Sequence, residues 1–307
     1  MSTLSSYFLA ARPKTLSATL MPVWAGCLIV QKMTGTWDLP LAVYTVLCTM
    51  CLQIACNLFN DAIDFTKSAD TKARVGPRRM TATGQLSSRQ VTIGALAFLV
   101  LACLLSIPLI QAQGWPILAI GIPSLFFAYG YTGGPYPLAY NGLGEVFVIL
   151  FFGLVAVLGT ILVQIGTSAM VPGSEELTTL SVYNAGFVIG IQCGLLCAVM
   201  ISVNNLRDRK EDSTTGKRTL AVRLGDARAR RLTQSFIVAA YITLPTAYRA
   251  LQGVDFSKIW WHWIPAVLLG IYLMRCIQKT PANEAMNRVL ALSSIHLIVY
   301  FLTYTFS

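Results

Sequence analysis

Long apolar runs alternate with short polar segments along the whole chain. Nine runs can be marked in the 307 residues, each of about 20 residues, the length that an α-helix needs to cross the hydrocarbon core of a bilayer. The runs cover roughly residues 16–32, 39–59, 91–110, 115–131, 144–166, 183–203, 232–250, 259–277 and 288–306. This pattern predicts an all-α fold, in which one domain over residues 1–307 forms a bundle of nine transmembrane helices.

The distribution of basic residues predicts the orientation of the bundle. If the N-terminus is cytoplasmic, all 23 Lys and Arg residues except Lys32, Arg249 and Lys258 fall on the cytoplasmic side. Cytoplasmic loops carry such an excess of positive charge. An eight-span arrangement would place the two basic loops, residues 60–90 and 204–231, on opposite sides, so nine spans are favoured. We expect a protein of the bacterial cytoplasmic membrane whose polar loops face the cytoplasm.

Composition supports a lipid environment and narrows the chemistry. The chain is 55% hydrophobic and only 12% charged, whereas soluble domains carry about 25% charged residues. The net charge of +10 would suit nucleic acid, but short loops beside membrane spans place it near anionic headgroups instead. We therefore expect a lipid bilayer and no nucleic acid as partner. Two histidines and eight cysteines within or beside apolar runs leave little basis for a zinc site or a Ser/His/Asp hydrolase.

Two polar stripes stand where apolar runs end. In CNLFNDAIDFTKSAD, residues 56–70, four side chains at i, i+3, i+4 and i+7 share one helix face: Asn57, Asn60, Asp61 and Asp64. Residues 204–231 repeat the arrangement with Asn205, Asp208 and Asp212. Acids at a helix C-terminus are disfavoured by roughly 0.3–1 kcal/mol each. Solvated helix ends remain the plain alternative, but two such stripes on one side of the membrane favour a bound cation.

The donor atoms indicate which cation and which ligand. Oxygens of Asp and Asn suit a hard ion, and Mg²⁺ is commonly held by one or two carboxylates together with substrate phosphates. Basic residues follow each stripe, in Gly76-Pro77-Arg78-Arg79 and in Gly216-Lys217-Arg218. The sequence therefore predicts a Mg²⁺-dependent diphosphate site at the cytoplasmic mouth of an apolar bundle, with the alkyl tail of the ligand inside the membrane.

An allylic diphosphate would make such a site catalytic. Metal ions on the leaving oxygens favour ionisation of the carbon–oxygen bond, and the resulting cation needs electron-rich surroundings. Aromatic side chains near the same mouth could supply them, although core packing is an alternative for each. The candidates are Tyr129, Tyr131 and Phe126 or Phe127.

An ordered series of motifs resembles the UbiA superfamily of intramembrane prenyltransferases, and within it the 1,4-dihydroxy-2-naphthoate polyprenyltransferases of menaquinone synthesis. The resemblance covers roughly residues 11–225. The matching motifs are Arg12-Pro13-Lys14-Thr15, Asn60-Asp61-x-x-Asp64, Arg74-x-Gly76-Pro77, Asn141-Gly142-Leu143-Gly144-Glu145, Phe151-Phe152-Gly153, Asn204-Asn205-x-Arg207-Asp208-x-x-x-Asp212 and Gly216-Lys217-x-Thr219-Leu220.

The resemblance implies a reaction and a set of site residues. A polyprenyl group would pass from its diphosphate to 1,4-dihydroxy-2-naphthoate, with loss of CO₂ and diphosphate, to give demethylmenaquinone. The implied Mg²⁺ ligands are Asp61, Asp64, Asp208 and Asp212, supported by Asn60 and Asn205. Asp70 lies six residues after Asp64, off the stripe, and would join them only if the helix ends in between.

The remaining implied roles concern the two substrates. The diphosphate would be held by Arg78, Arg79, Lys217 and Arg218. Glu145 would orient or deprotonate the hydroxyl of the acceptor, or cap a helix, and Lys14 or Arg12 would contact the carboxylate of the acceptor.

Other functions stay open at this stage. Within the superfamily, phytyl transfer, 4-hydroxybenzoate prenylation and haem or chlorophyll tailing are alternatives. A membrane transporter is the alternative from another class, because acids within membrane proteins often mark ion pathways. Transporter sites lie near the middle of the bilayer, however, and the acids of this chain gather at one side.

Overall fold

The computed structural model describes residues 3–67, 76, 79–166, 175–251 and 256–307, and within these residues the fold is helical, without a β-strand. The helices that build the bundle are α1 (Thr3–Ala10), α2 (Ser17–Thr34), α3 (Leu39–Thr66), α4 (Ser88–Gln113), α5 (Trp115–Gly130), α6 (Gly144–Ile165), α7 (Glu175–Thr214), α8 (Leu220–Ile242), α9 (Leu244–Ala250), α10 (Phe256–Lys279) and α11 (Met286–Phe306). Short 3₁₀ turns cover Pro13–Thr15 and Leu138–Tyr140.

The predicted class, an all-α membrane bundle, is confirmed, whereas the predicted number of spans is not. Among the described residues, six helices are both long and apolar enough to cross a membrane: α3, α4, α6, α7, α10 and α11. The apolar helix α5 has only 16 residues, fewer than the ~20 that span a typical bilayer core upright. The nine-span count and the orientation of the N-terminus therefore remain proposals.

Polar side chains fix where α3 and α4 begin. The Asp38 carboxylate accepts a hydrogen bond from the main-chain N–H of Leu41 at 2.8 Å and so caps α3. The Gln164 amide then ties the last turn of α6 to the same point, because its Oε1 accepts from the Asp38 N–H at 2.6 Å. Ser87 and Gln90 form a capping box at the start of α4.

Glycines bring α6 and α7 into main-chain contact. A Cβ atom on Gly153 would lie 2.5 Å from the carbonyl oxygen of Gly190, and one on Gly194 would lie 2.6 Å from that of Ile149. Small residues in transmembrane helices allow such close packing. Next to this contact, α6 widens into a π-helix over Ile149–Val155, a form that is frequent at functional sites.

The hydrophobic core is divided unequally. The largest buried cluster joins α2 and the second half of the chain, with Trp263, Tyr300 and Tyr304 among its fully buried aromatic residues. A smaller cluster holds α3 and α4 together with Met80 and Leu86 of the loop between them. The space between α3, α4, α5 and α6 holds the larger of the two cavities described below.

The glycine contact predicts a specific loss of stability. Gly194→Ala would place a methyl group against the main chain of Ile149, and overpacking of this kind costs about 1–3 kcal/mol. We expect a lower melting temperature in detergent micelles, measured by thermal scanning fluorimetry. Gly159→Ala is the matched control, because its added methyl would meet only the Ile120 side chain at 3.6 Å. Equal melting temperatures for the two variants would contradict this account of the packing.

Candidate active site

A cavity of about 180 Å³ is lined by the C-terminal parts of α3 and α7. We call it the polar cavity, because eight charged side chains line it: Arg12, Asp64, Arg79, Glu145, Arg207, Asp208, Asp212 and Lys217. Asn57, Asn60, Asn204 and Asn205 line it as well. The structure thus brings acids of both stripes to one cavity, together with Arg79 and Lys217 of the two basic segments.

Three side chains hold Asp64 in the polar cavity. Its Oδ2 accepts from Arg79 Nη2 at 3.0 Å and from Lys217 Nζ at 2.7 Å, while the Tyr140 hydroxyl donates to Oδ1 at 2.8 Å. The side chains of Asp64 and Arg79 are only 2% and 6% exposed. A buried carboxylate needs such partners, because an unpaired buried charge is costly. Lys217 thereby links the loop after α7 to α3.

Asp208 is held by its neighbour in sequence. Arg207 donates to both Asp208 oxygens, each at 2.7 Å, and its Nη1 donates to Asn287 of α11 at 2.8 Å. Asp212, one helical turn later, also lines the cavity and is buried. The bidentate geometry fixes the direction of the Asp208 carboxylate. Arg207 has no predicted role, although the sequence motif contains it.

Asp61 points away from the polar cavity. Its Oδ2 accepts from the main-chain N–H of Met80 at 3.0 Å, and its Oδ1 accepts from the N–H of Thr81 at 3.3 Å and from the Thr81 hydroxyl. Asp61 does not line the cavity. These contacts favour a role in anchoring the loop between α3 and α4 over the predicted metal role.

The donor set around the polar cavity suits Mg²⁺. Asp64, Asp208 and Asp212 offer carboxylate oxygens, and Asn60 and Asn204 offer amide oxygens, the hard ligands that this ion prefers. Across the described residues, no three His, Cys, Asp or Glu side chains form a ready-made metal cage. Such a sparse set matches an ion that completes its coordination with water and substrate phosphate oxygens.

The other predicted contacts fall into three groups. Asn60 and Asn205 line the polar cavity, where Asn60 accepts from the Thr132 hydroxyl and Asn205 donates to Glu145. The Arg218 side chain is exposed and does not line the cavity, although its main-chain N–H donates to Tyr140. Asp70, Arg78 and the side chain of Lys14 lie outside the described part of the chain.

Arg12 lines the polar cavity, and its backbone has an unusual conformation. Its φ of 55° and ψ of 63° lie in the left-handed region, which costs a non-glycine residue roughly 1–2 kcal/mol. The Asn57 amide donates to the carbonyl oxygen of Ala11 at 3.0 Å and so fixes the adjoining peptide on α3. A strained residue that lines a cavity is a candidate for function.

Glu145 and Tyr131 lie on the wall of the polar cavity that α6 begins. Glu145 is 2% exposed, and its Oε1 accepts from Asn205 Nδ2 at 2.9 Å and from Ser202 Oγ at 3.4 Å. The Tyr131 hydroxyl lies against α6, 3.0 Å from where a Cβ on Gly144 would stand. Leu143, the N-cap residue of α6, makes no side-chain capping bond, and a helix-cap role for Glu145 stays a prediction.

A second cavity adjoins the polar one. This apolar cavity, of about 350 Å³, shares Gln53, Cys56, Phe147 and Phe152 with it and continues along α3 to Thr45. From Cys56 to Thr45 the distance along the helix is about 16 Å, at 1.5 Å per residue. Cys103 on α4 and Ile122 on α5 line this cavity and are also exposed, so the cavity reaches the surface of the bundle.

Aromatic rings stand where the two cavities meet, and two of the predicted candidates are among the lining residues: Tyr131 of the polar cavity and Phe127 of the apolar one. Phe147 stacks on Phe151 with ring centroids 4.3 Å apart, and Phe127 meets both rings edge-on. Phe126 and Tyr129, by contrast, are 64% and 45% exposed. Phe151 and Phe152 belong to the motif Phe151-Phe152-Gly153, which was recognised in the sequence, whereas Phe147 belongs to no recognised motif.

The contacts of Asp61 predict a structural phenotype for its variant. Asp61→Asn loses an acceptor for the loop N–H groups, and an unsatisfied buried group costs about 1–3 kcal/mol. We expect a lower melting temperature and faster tryptic cleavage after Arg79. Stabilisation of the variant by Mg²⁺ plus a prenyl diphosphate should persist. Loss of that stabilisation, at an unchanged melting temperature, would instead support the predicted metal role.

Comparisons with known proteins agree with this architecture. The profile of the UbiA prenyltransferase family matches residues 19–303. The chain is 33% identical over 240 residues to a 1,4-dihydroxy-2-naphthoate octaprenyltransferase of Haemophilus influenzae, covering 74% of this chain and 71% of the relative. The enzyme of the same name from Bacillus subtilis is 30% identical over 285 residues, covering 92% and 85%.

The fold is also found among solved structures. A UbiA homolog from Archaeoglobus fulgidus bound to GPP and Mg²⁺ superposes with a TM-score of 0.64 and 16% identity, covering 98% of this chain and 99% of that one. At this identity the likeness concerns the fold alone. The family match and the curated relatives confirm the resemblance found in the sequence: the chain belongs to the UbiA prenyltransferase family.

Proposed function

We propose that this protein transfers a polyprenyl group from polyprenyl diphosphate to 1,4-dihydroxy-2-naphthoate. Curated relatives at 30–34% identity carry this activity in their names. The observation that carries the proposal is the polar cavity, in which acids from α3 and α7 meet Arg79 and Lys217 beside an apolar cavity. A charged head and a long apolar tail need these two adjoining environments.

The transfer requires no oxidant and no added base. The allylic C–O bond breaks, and its electron pair leaves on the diphosphate. The ring carbon that carries the carboxylate forms the new C–C bond to the prenyl group. The carboxylate then departs as CO₂, returning its bonding pair to the ring, so that the hydroquinone form of demethylmenaquinone results.

The chain's cations would bind and hold the leaving diphosphate. Lys217 and Arg79 both contact Asp64, and phosphate oxygens are alternative acceptors for the same N–H groups. Predicted contacts of Arg78 and Arg218 with the diphosphate belong to the same proposal. Arg207 instead keeps Asp208 in a fixed direction.

Asp64, Asp208 and Asp212 would hold Mg²⁺, with Asn60 in support, and Asp70 stays a further candidate ligand. When bound, the ion neutralises charge on the diphosphate and favours its departure. A solved UbiA homolog is described as bound to DMAPP and Mg²⁺, which supports the same type of ligand in this chain. The assignment of Asp61 to the loop leaves three carboxylates for the ion.

Aromatic residues would line the position where the allylic cation forms. Phe147 and Phe152 border both cavities, and Phe151 and Phe127 stand behind Phe147. Aromatic faces attract cations by about 0.5–2 kcal/mol each, more when water is excluded. Tyr131 faces the polar side of the same junction. Arg12 or Lys14 would meet the carboxylate of the acceptor.

The nine-span arrangement belongs to this proposal as well. It places the N-terminus and both acidic stripes on the cytoplasmic side of the bacterial inner membrane, where diphosphate and naphthoate are water-accessible. The asymmetry of Lys and Arg supports it, because only Lys32, Arg249 and Lys258 fall on the other side. The whole chain then acts as one prenyltransferase unit.

Replacing the proposed metal ligands should abolish transfer without unfolding the bundle. Asp64→Asn and Asp208→Asn keep the shape of the side chain but remove its charge, and we expect prenyl transfer to dihydroxynaphthoate to fall about 100-fold or more. Product formation is measured by chromatography on purified membranes. Asp226→Asn is the control: the hydrogen bond from Arg230 lowers the pKa of Asp226, but this acid lies outside the polar cavity. Activity like that of the wild type in both variants would exclude the metal assignment.

An odd number of spans predicts that the chain's two ends lie on opposite sides of the membrane. Alkaline phosphatase fused after Ser307 should be active in the periplasm, and green fluorescent protein at the same position should stay dark. An N-terminal fluorescent fusion should be bright. A bright C-terminal fluorescent fusion would indicate an even number of spans and overturn the arrangement.

A further inference from the structure

One oxygen of Glu145 has no hydrogen-bond partner among the described residues, although the side chain is 2% exposed. This atom is Oε2. The other oxygen, Oε1, is held by Asn205 and Ser202 of α7. The carboxylate is therefore fixed at one oxygen, while the second oxygen is buried and unpaired in a residue that lines the polar cavity.

A buried carboxylate oxygen without a hydrogen-bond donor destabilises the protein as long as no ligand is bound. Buried polar groups nearly always find a partner, and a charged acceptor loses more by burial than a neutral one. Two other acids that line the polar cavity are paired with cations: Asp64 has Lys217 and Arg79, and Asp208 has Arg207. Among the described residues no cation pairs with Glu145, and the two side chains that donate to it, Asn205 and Ser202, are neutral.

The residues that line the polar cavity beside Glu145 in the sequence indicate which kind of ligand binds there. Phe147 and Val148, in the turn after Glu145, line the same cavity, and Phe147 is braced by its stack on Phe151. The Tyr131 hydroxyl stands beside the first residue of α6. A cavity lined by both aromatic and aliphatic side chains and a carboxylate acceptor suits an aromatic ring that carries a hydroxyl group. A second anion, such as the diphosphate, would be repelled by Glu145.

We propose that Glu145 Oε2 accepts a hydrogen bond from a ring hydroxyl of the aromatic acceptor and so orients that ring toward the prenyl carbon. This assignment rests on the proposed function and adds the group that selects a hydroxylated acceptor. The bond also raises the electron density of the ring, at which the new C–C bond forms. Asn205 and Ser202 act as positioning residues, because they touch the acceptor only through Glu145.

Glu145→Gln tests the proposal with little change of shape. Its remaining carbonyl oxygen can still accept from Asn205 and Ser202, while the new NH₂ group cannot accept from a hydroxyl. We expect the KM for dihydroxynaphthoate to rise about 10- to 100-fold, the range for a hydrogen bond to a charged group. The KM for the prenyl diphosphate and the melting temperature should not change. Glu284→Gln, at an exposed position between α10 and α11, is the control.

A second measurement needs no variant. The monomethyl ethers of dihydroxynaphthoate should inhibit the wild-type enzyme more weakly than an inert analogue with free hydroxyls, again by about 10- to 100-fold. In Glu145→Gln this preference should vanish. Equal inhibition by ethers and free hydroxyls in the wild type would overturn the proposal, as would an unchanged acceptor KM in Glu145→Gln.

These outcomes differ from a failure of the proposed function. If the wild-type enzyme does not prenylate dihydroxynaphthoate, the proposed function fails, and the inference about Glu145 falls with it. If the wild type is active and Glu145→Gln raises both KM values together with a lower melting temperature, Glu145 has a structural role and only the inference fails.

Discussion

The mutual compensation of buried charges in the cavity that α3 and α7 both line is the interaction on which the candidate site depends. Asp64, Asp208 and Asp212 would repel one another across the polar cavity if no cations stood between them. Lys217 and Arg79 converge on Asp64, and Arg207 grips Asp208. The same contacts tie the segments after both helices to the bundle. A substrate with a metal-bound diphosphate can exchange with these pairs, because it brings both positive and negative charge.

The rest of the fold sets this charged cavity against an apolar one. Gly153, Gly190 and Gly194 bring α6 and α7 into main-chain contact, and the adjoining π-helix presents Phe151 and Phe152 toward the boundary between the cavities. The Phe147 ring borders both spaces. Close packing on one side of the bundle thus coexists with a cavity among α3, α4, α5 and α6, where few residues of α4 are buried.

Much of the site was predictable because it follows from helical periodicity and charge. The i, i+3, i+4, i+7 pattern correctly indicated a shared face for Asn57, Asn60 and Asp64. Asp61 is at one edge of that face, since successive residues turn by about 100°, and a neighbouring loop decides which way an edge residue points. In this chain the Asp61 carboxylate accepts hydrogen bonds from the main-chain N–H groups of Met80 and Thr81 in that loop. Helical periodicity describes only the helix itself and carries no information about where that loop lies.

Other features depended on tertiary contacts that the sequence does not encode locally. The position of Glu145 Oε1 is fixed by Asn205 and Ser202, about 60 residues away, and Oε2 has no hydrogen-bond partner among the described residues. The aromatic boundary needed Phe147, which has no motif, while Phe126 and Tyr129 turned outward. Hydropathy predicted the membrane class, which is confirmed, whereas its count of nine spans stays a prediction: among the described residues six helices are long and apolar enough to cross a membrane, and α5 has only 16 residues.

The most direct test is a structure of the protein with Mn²⁺ in place of Mg²⁺ and a prenyl thiodiphosphate, with the metal located by anomalous scattering. The account predicts Mn²⁺ at about 2.1 Å, the distance typical of Mg²⁺, from carboxylate oxygens of Asp64 and of Asp208 or Asp212. Lys217 should then contact the diphosphate. A metal or diphosphate bound outside the polar cavity, with Asp64 still held by Lys217 and Arg79, would contradict it.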